Sequence, residues 1–145
     1  MTTVPASWIL WALLSAFFAA LTAIFAKLGV QTLSGESALL VRTLVVTGFL
    51  LLLLACKQNW PDFAAVSGRE GLFLLLSGLA TGLSWLCYFY ALQQGPVALV
   101  APLDKLSVVF VAVLAVFGLG ESLNPLQWAG IGLIAAGAVM VALFA

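Results

Sequence analysis

Histidine is missing and charge is scarce: the 145 residues hold five basic and five acidic side chains, 7% of the chain. A domain that faces water carries charge on about a quarter of its residues, so water is not the main solvent here. Without histidine, and with only the widely separated Cys56 and Cys87, the sequence offers no nitrogen or sulfur ligand set at metal-binding spacing. No metal and no other cofactor is expected, and both cysteines read as small packing residues. The absence of a Ser-His pair, a P-loop or an acid pair at catalytic spacing argues against an enzyme. Five scattered basic residues form no patch for nucleic acid. No basic segment precedes the first apolar run, and that run is too long for a leader peptide core, so it reads as a span.

What is present is hydrocarbon. The composition is 65% hydrophobic, with a mean hydropathy of +1.25. Five apolar runs occupy residues 4–26, 37–56, 71–92, 96–119 and 125–145. About 20 apolar residues cross about 30 Å of hydrocarbon as a helix. The runs lack the alternation that membrane strands require. The expected fold is all-α and integral to the membrane: a five-transmembrane-helix bundle forming one membrane domain over residues 1–145, with the lipid bilayer as its main surroundings.

Five spans place the two termini on opposite sides. Lys57 and Arg69 flank the loop on the N-terminal side, and Lys27 lies on the other. This bias leans toward a cytoplasmic N-terminus, and its smallness leaves dual insertion open. Trp8, Trp11, Trp60 and Trp128 fall near the N-terminal side, where amphipathic rings settle among headgroups, and the loop WPDFAAVSG can lie along that interface.

Trp85 is the exception, deep in the third span. At the helical rise it lies about 10 Å from the far side, Arg42 about 8 Å and Asp104 about 12 Å. Tyr88 is one turn nearer the surface. An ionisable residue inside a membrane is expensive and calls for a partner, a water-filled cavity or a ligand. Successive residues on a helix diverge by about 100°, so Asp104 and Lys105 do not simply face each other, and Arg42 is the partner expected for Asp104 by depth. Pro102 removes a backbone donor and predicts a kink, with Asp104 in the first turn of the restarted helix. Ser77, Thr81, Ser84 and Tyr88 share one face of the third span. Each feature has two readings. The charges and the polar stripe are structural ties, with Lys105 and Arg42 snorkelling, or they line a substrate cavity near mid-membrane. Ladders of small residues (Ala12, Ala16 and Ala20; Ser15, Ala19 and Ala23; Gly78 and Gly82; Gly132 and Ala136) predict close helix contacts.

The C-terminal half carries a further pattern: Tyr88 with Ala91-Leu92 before a turn, Pro102 in the fourth span, Leu119-Gly120-Glu121 at its end, then Trp128-Ala129-Gly130 and Gly137. In this order they resemble the EamA-type domain of the drug/metabolite transporter superfamily. The stretch WALLSAFFAALTAIFAKLGV fits that family's first helix, so the resemblance covers essentially the whole chain. It implies an inner-membrane transporter, often an exporter of small metabolites. Typical members have ten helices in two inverted repeats around a central cavity, and this chain holds one repeat. A complete cavity then implies a homodimer, antiparallel if the chain inserts both ways, or an inverted sister subunit. The Asp104-Lys105 pair is not part of the general family pattern, so the resemblance gives it no role. The family's small multidrug resistance relatives place an acid in the first helix, and this chain has none.

Two functions follow as expectations. One is an exporter of a small polar or zwitterionic metabolite, with Asp104, Lys105, Arg42, Trp85 and Tyr88 at the cavity. The other is a non-transporting subunit that completes or scaffolds another membrane complex, such as a lipid-linked sugar flippase.

Overall fold

The computed structural model describes residues 7–58, 60–62 and 65–144. The expected span residues 4–6 and 145, and Phe63 and Ala64 of the WPDFAAVSG loop, lie outside the described residues. The helices are α1 (Ser7–Gly29), α2 (Gly35–Lys57), α3 (Gly68–Gln94), α4 (Val97–Asp104), α5 (Ser107–Leu119) and α6 (Pro125–Leu143). No strand occurs among the described residues. With α4 and α5 counted as one crossing, five helices are long and apolar enough to span a bilayer.

The first turns of α2, α3 and α6 are closed by side chains, which satisfy backbone N–H groups that have no partner within the helix. Ser34 caps α2 by accepting from the Ser37 N–H. Before α3, Ser67 and Glu70 exchange bonds: the Ser67 N–H and hydroxyl donate to Glu70 Oε2, and the Glu70 N–H donates to Ser67 Oγ. Asn124 and Gln127 form the same reciprocal box at α6, with Pro125 at its first position. Gly120 ends α5 at φ 72°, a left-handed conformation that glycine adopts without steric penalty.

The chain divides into two compact units, Met1–Phe25 with Gln94–Ala145, and Ala26–Gln93. In the first unit, α4 and α5 both pack on α6. The residues buried on α5 and α6 are Ala112 and Ala138, small enough for backbones to approach closely. This corrects the expectation that Gly132 and Ala136 form the close-contact face of α6 within this unit. Both of those residues are exposed, and the inward face of α6 instead carries Ile131, Ala135 and Ala138. The α1 alanine ladders also face outward, and Ala23 alone among them is buried.

The fourth span is interrupted at Lys105-Leu106, three residues after Pro102, so the helix runs through the proline. The backbone changes from four-residue to three-residue bonding there: the Lys105 N–H donates to Pro102 O and the Leu106 N–H to Leu103 O. A short 3₁₀ turn keeps these groups satisfied. Asp104 is therefore the last residue of α4, not a member of the next helix's first turn.

In the second unit the core lies where α2 begins and α3 ends. Val30, Ala38, Phe89 and Leu92 are buried. Three polar ties join the same region. Tyr90 donates to Glu36, Gln93 Nε2 donates to Leu33 O at 2.7 Å, and Lys27 donates to Leu92 O. Gly35 allows the closest approach: a Cβ there would sit 3.1 Å from the Tyr90 ring. Both cysteines are free and exposed, which corrects their expected packing role.

The Gly35 contact yields a stability prediction. Gly35→Val displaces the Tyr90 ring and lowers unfolding free energy by about 1–3 kcal/mol, whereas Gly35→Ala costs about 1 kcal/mol or less. Unfolding in detergent micelles by added SDS measures both. Equal stability of Gly35→Val and the unchanged protein contradicts the contact.

Candidate functional site

A groove with a volume of about 510 Å³ runs between α2 and α3. Arg42 and Trp85 stand at the end nearest the helix ties, about two turns into α2 and about two and a half turns before the end of α3. Below them, Thr43 and Thr47 line one wall, and Ser77 and Thr81 the other. Leu39, Val46 and Leu74 complete an apolar lining. Gly78 and Gly82 also border the groove, and a Cβ at either would meet nothing within 4 Å. The expected GxxxG helix contact is thus corrected: in this unit these glycines border open space.

The guanidinium of Arg42 lies over the Trp85 ring, with Cζ 2.9 Å from its centroid. Trp85 is held edge-on to Tyr88 at 5.7 Å and tilted against Phe89 at 5.9 Å. Phe89 belongs to the buried core, so the tie region orients the tryptophan and the tryptophan orients the arginine. Arg42 Nη1 is buried and finds no hydrogen-bond partner among the described residues. The groove lining includes no acid. Of this unit's three acids, Glu36 is engaged by Tyr90, Glu70 by Ser67, and Asp62 lies in the loop between α2 and α3, outside the groove lining. An arginine at a span centre costs about 2.5–3.5 kcal/mol by insertion scales, and a cation–π contact returns about 0.5–2 kcal/mol. The ring offsets part of the charge, and an anion at the guanidinium would offset the rest.

The threonine hydroxyls add a second polarity. Thr43 Oγ1 donates to Leu39 O and Thr81 Oγ1 donates to Ser77 O, each at 2.8 Å. With the proton committed to a carbonyl, each oxygen has lone pairs left to accept. The groove thus has a cationic head and hydroxyl acceptors along its walls.

The expected site residues divide between the units. Arg42, Trp85 and Tyr88 meet in the second, and Ser77 and Thr81 join Arg42 and Trp85 along the groove. Ser84, on the same helix, is not part of the groove lining. Asp104 and Lys105 lie in the first unit with Pro102 and pair with each other, Nζ to Oδ2 at 3.1 Å. Adjacent residues meet because α4 ends there and the long lysine chain folds back, which corrects the expectation that they diverge. Thr43 and Thr47 were not singled out by sequence, although their spacing of four with Leu39 marks the same face.

The aromatic cluster generates a prediction. Trp85→Ala removes both the arginine's ring partner and the contacts to Tyr88 and Phe89, and lowers stability by about 2–4 kcal/mol. Trp85→Phe retains a ring and costs about 1 kcal/mol. SDS-titrated unfolding distinguishes them, and equal losses for the two variants contradict a stabilising role for the ring face.

The EamA-like transporter family matches residues 6–143. A protein of Sinorhizobium sp, described as an uncharacterized transporter in the cobO 3'region, is 53% identical over 138 residues, 95% of this chain and 98% of that protein. The probable 4-amino-4-deoxy-L-arabinose-phosphoundecaprenol flippase subunit ArnE of Escherichia coli O157:H7 is 32% identical over 89 residues, 59% of this chain and 80% of that protein. Its Shigella flexneri counterpart is 30% identical over the same length. No solved structure matches the chain. With five membrane-crossing helices and a family match over nearly its whole length, the chain is a multi-pass membrane protein that belongs to the EamA-like transporter family.

Proposed function

We propose that the chain exports a small polar or zwitterionic metabolite across the inner membrane, with its N-terminus in the cytoplasm in the principal orientation. The α2–α3 groove forms part of the cavity. The observation that carries this reading is the Arg42 guanidinium held on Trp85 at the head of a hydroxyl-lined groove inside the membrane layer. A family of transporters supplies the reaction class. Tyr88 supports Trp85, and Ser77, Thr81 and Ser84 give the third span its polar face. Asp104 and Lys105, at the interruption of the fourth span that follows Pro102, act in coupling. One five-helix repeat is completed by a second copy, in antiparallel orientation where dual insertion supplies it, or by an inverted sister subunit.

A second reading rests on the similarity to ArnE, described as a flippase subunit. In that reading the chain completes a different membrane protein and carries no flux by itself.

One experiment addresses both. The purified chain is reconstituted alone into liposomes loaded with the common amino acids, and efflux of each is followed by mass spectrometry. The expected result is loss of at least one zwitterionic amino acid about tenfold faster than from protein-free liposomes. Asp104→Asn slows this flux and removes its dependence on a proton gradient, while Lys57→Gln changes neither. No efflux of any amino acid from the chain alone contradicts the homodimeric zwitterion exporter, and flux that appears only with a second membrane protein and is unchanged by Asp104→Asn favours the subunit reading. Full, equally proton-dependent flux in Asp104→Asn removes Asp104 from coupling.

A further inference from the structure

The α2–α3 groove has a chemical direction. We propose that it is a binding site for the anionic end of the transported molecule, a carboxylate or phosphate held by Arg42, with a hydrogen-bond donor of the same molecule received by Thr43 and Thr81. This deepens, and rests on, the reading of the groove as part of a substrate cavity.

Three observations carry it. The first is charge. Arg42 lines the groove, its guanidinium has a ring face as neighbour, and the lining contains no carboxylate. A guanidinium has five N–H donors in a fixed fork that matches carboxylate and phosphate oxygens. An aromatic face attracts the cation without accepting those hydrogen bonds in the plane of the fork. The second is the state of the hydroxyls. Thr43 and Thr81 stand on opposite walls, and each donates its proton to the carbonyl four residues back. What they present to a ligand is acceptor lone pairs, suited to an ammonium or hydroxyl group. The third is size. The groove, at about 510 Å³, is large enough for a small metabolite, and its leucine and valine walls accommodate an apolar side group. A cationic head with neutral acceptors discriminates against net cations and admits zwitterions and monoanions. The same anion chemistry belongs to phospholipid headgroups, so the experiment must separate the two sources.

Trp85 is a built-in reporter because the proposed anion binds the cation lying on its ring. With Trp8, Trp11, Trp60 and Trp128 replaced by phenylalanine, Trp85 is the sole indole. This variant is placed in phosphatidylcholine nanodiscs and titrated with glycine, acetate, inorganic phosphate and methylamine, and separately in nanodiscs containing phosphatidylglycerol. The expected result is a saturable change in Trp85 emission with glycine, acetate and phosphate, and none with methylamine. Arg42→Gln weakens the acetate response by about tenfold or more. Arg42→Lys, which keeps the charge without the fork, falls between. Thr43→Val with Thr81→Val erases the preference for glycine over acetate while acetate still binds, so a folded variant reports on the acceptor half independently. A response to phosphatidylglycerol alone keeps the anion site and assigns it to a lipid headgroup. No response to any anion, or an unchanged acetate response in folded Arg42→Gln, overturns the site. Binding is read here without flux, so a bound anion in a chain that transports nothing leaves this site standing while the exporter reading falls.

Discussion

The bilayer offers backbone amides and carbonyls almost no outside partners, and the architecture follows from that constraint. Every crossing is helical, and the starts of α2, α3 and α6 are closed by Ser34, by the Ser67–Glu70 pair and by the Asn124–Gln127 box. Even the interruption at Lys105-Leu106 is bridged by three-residue bonds. The same constraint explains why the exterior is apolar and the interior modest. Lipid is no worse a neighbour for leucine than another leucine is, so helices associate through small residues and polar ties rather than through a large buried core. Ala112 and Ala138 illustrate the first device, and the Tyr90–Glu36 and Gln93–Leu33 bonds the second.

Those ties set up the groove. The helix pair is fastened where α2 begins and α3 ends. Gly35 lets the Tyr90 ring approach α2, and Phe89 and Leu92 fill the space beneath. From this anchor the stack Phe89, Trp85, Arg42 leads into the membrane, two rings and then the cation, each group positioned by the one before. Past Arg42 the facing walls carry threonine, serine and glycine. In the proposed substrate cavity, a fixed cation at the head of the groove would orient one end of a molecule and leave the other free to differ.

Much of this could be read in the residues, and what could not has identifiable causes. The five crossings follow from hydrophobic run length, which the bilayer thickness makes a strong signal. That Arg42 and Trp85 occupy one layer follows from counting residues at 1.5 Å each from the span ends. Rise gives depth but not azimuth, so the pairing of Asp104 with Lys105 was not legible: it depends on α4 stopping at Asp104, a break displaced from its obvious marker, Pro102. The glycine motif at 78 and 82 misled for a related reason. Small residues permit close contact and equally permit open space, and only the splay of α2 and α3 decides between them. Thr43 and Thr47 carry little signal in the sequence because each is weakly polar alone and gains meaning only opposite Ser77 and Thr81.

The proposed function requires that water and a polar solute enter the groove between α2 and α3 while the outer surface of the same helices meets lipid. Replacing Cys56 and Cys87 with alanine, then placing single cysteines at Thr47, Thr81 and Leu83, tests it in native membranes. Charged thiol reagents react only with thiols that water reaches and ionises. Thr47 and Thr81 line the groove, whereas Leu83 is 65% exposed on α3 and is not part of the lining. Thr47→Cys and Thr81→Cys are expected to react about tenfold or more faster than Leu83→Cys. Equal, slow labelling at all three positions would mean a dry groove and would contradict a substrate cavity there.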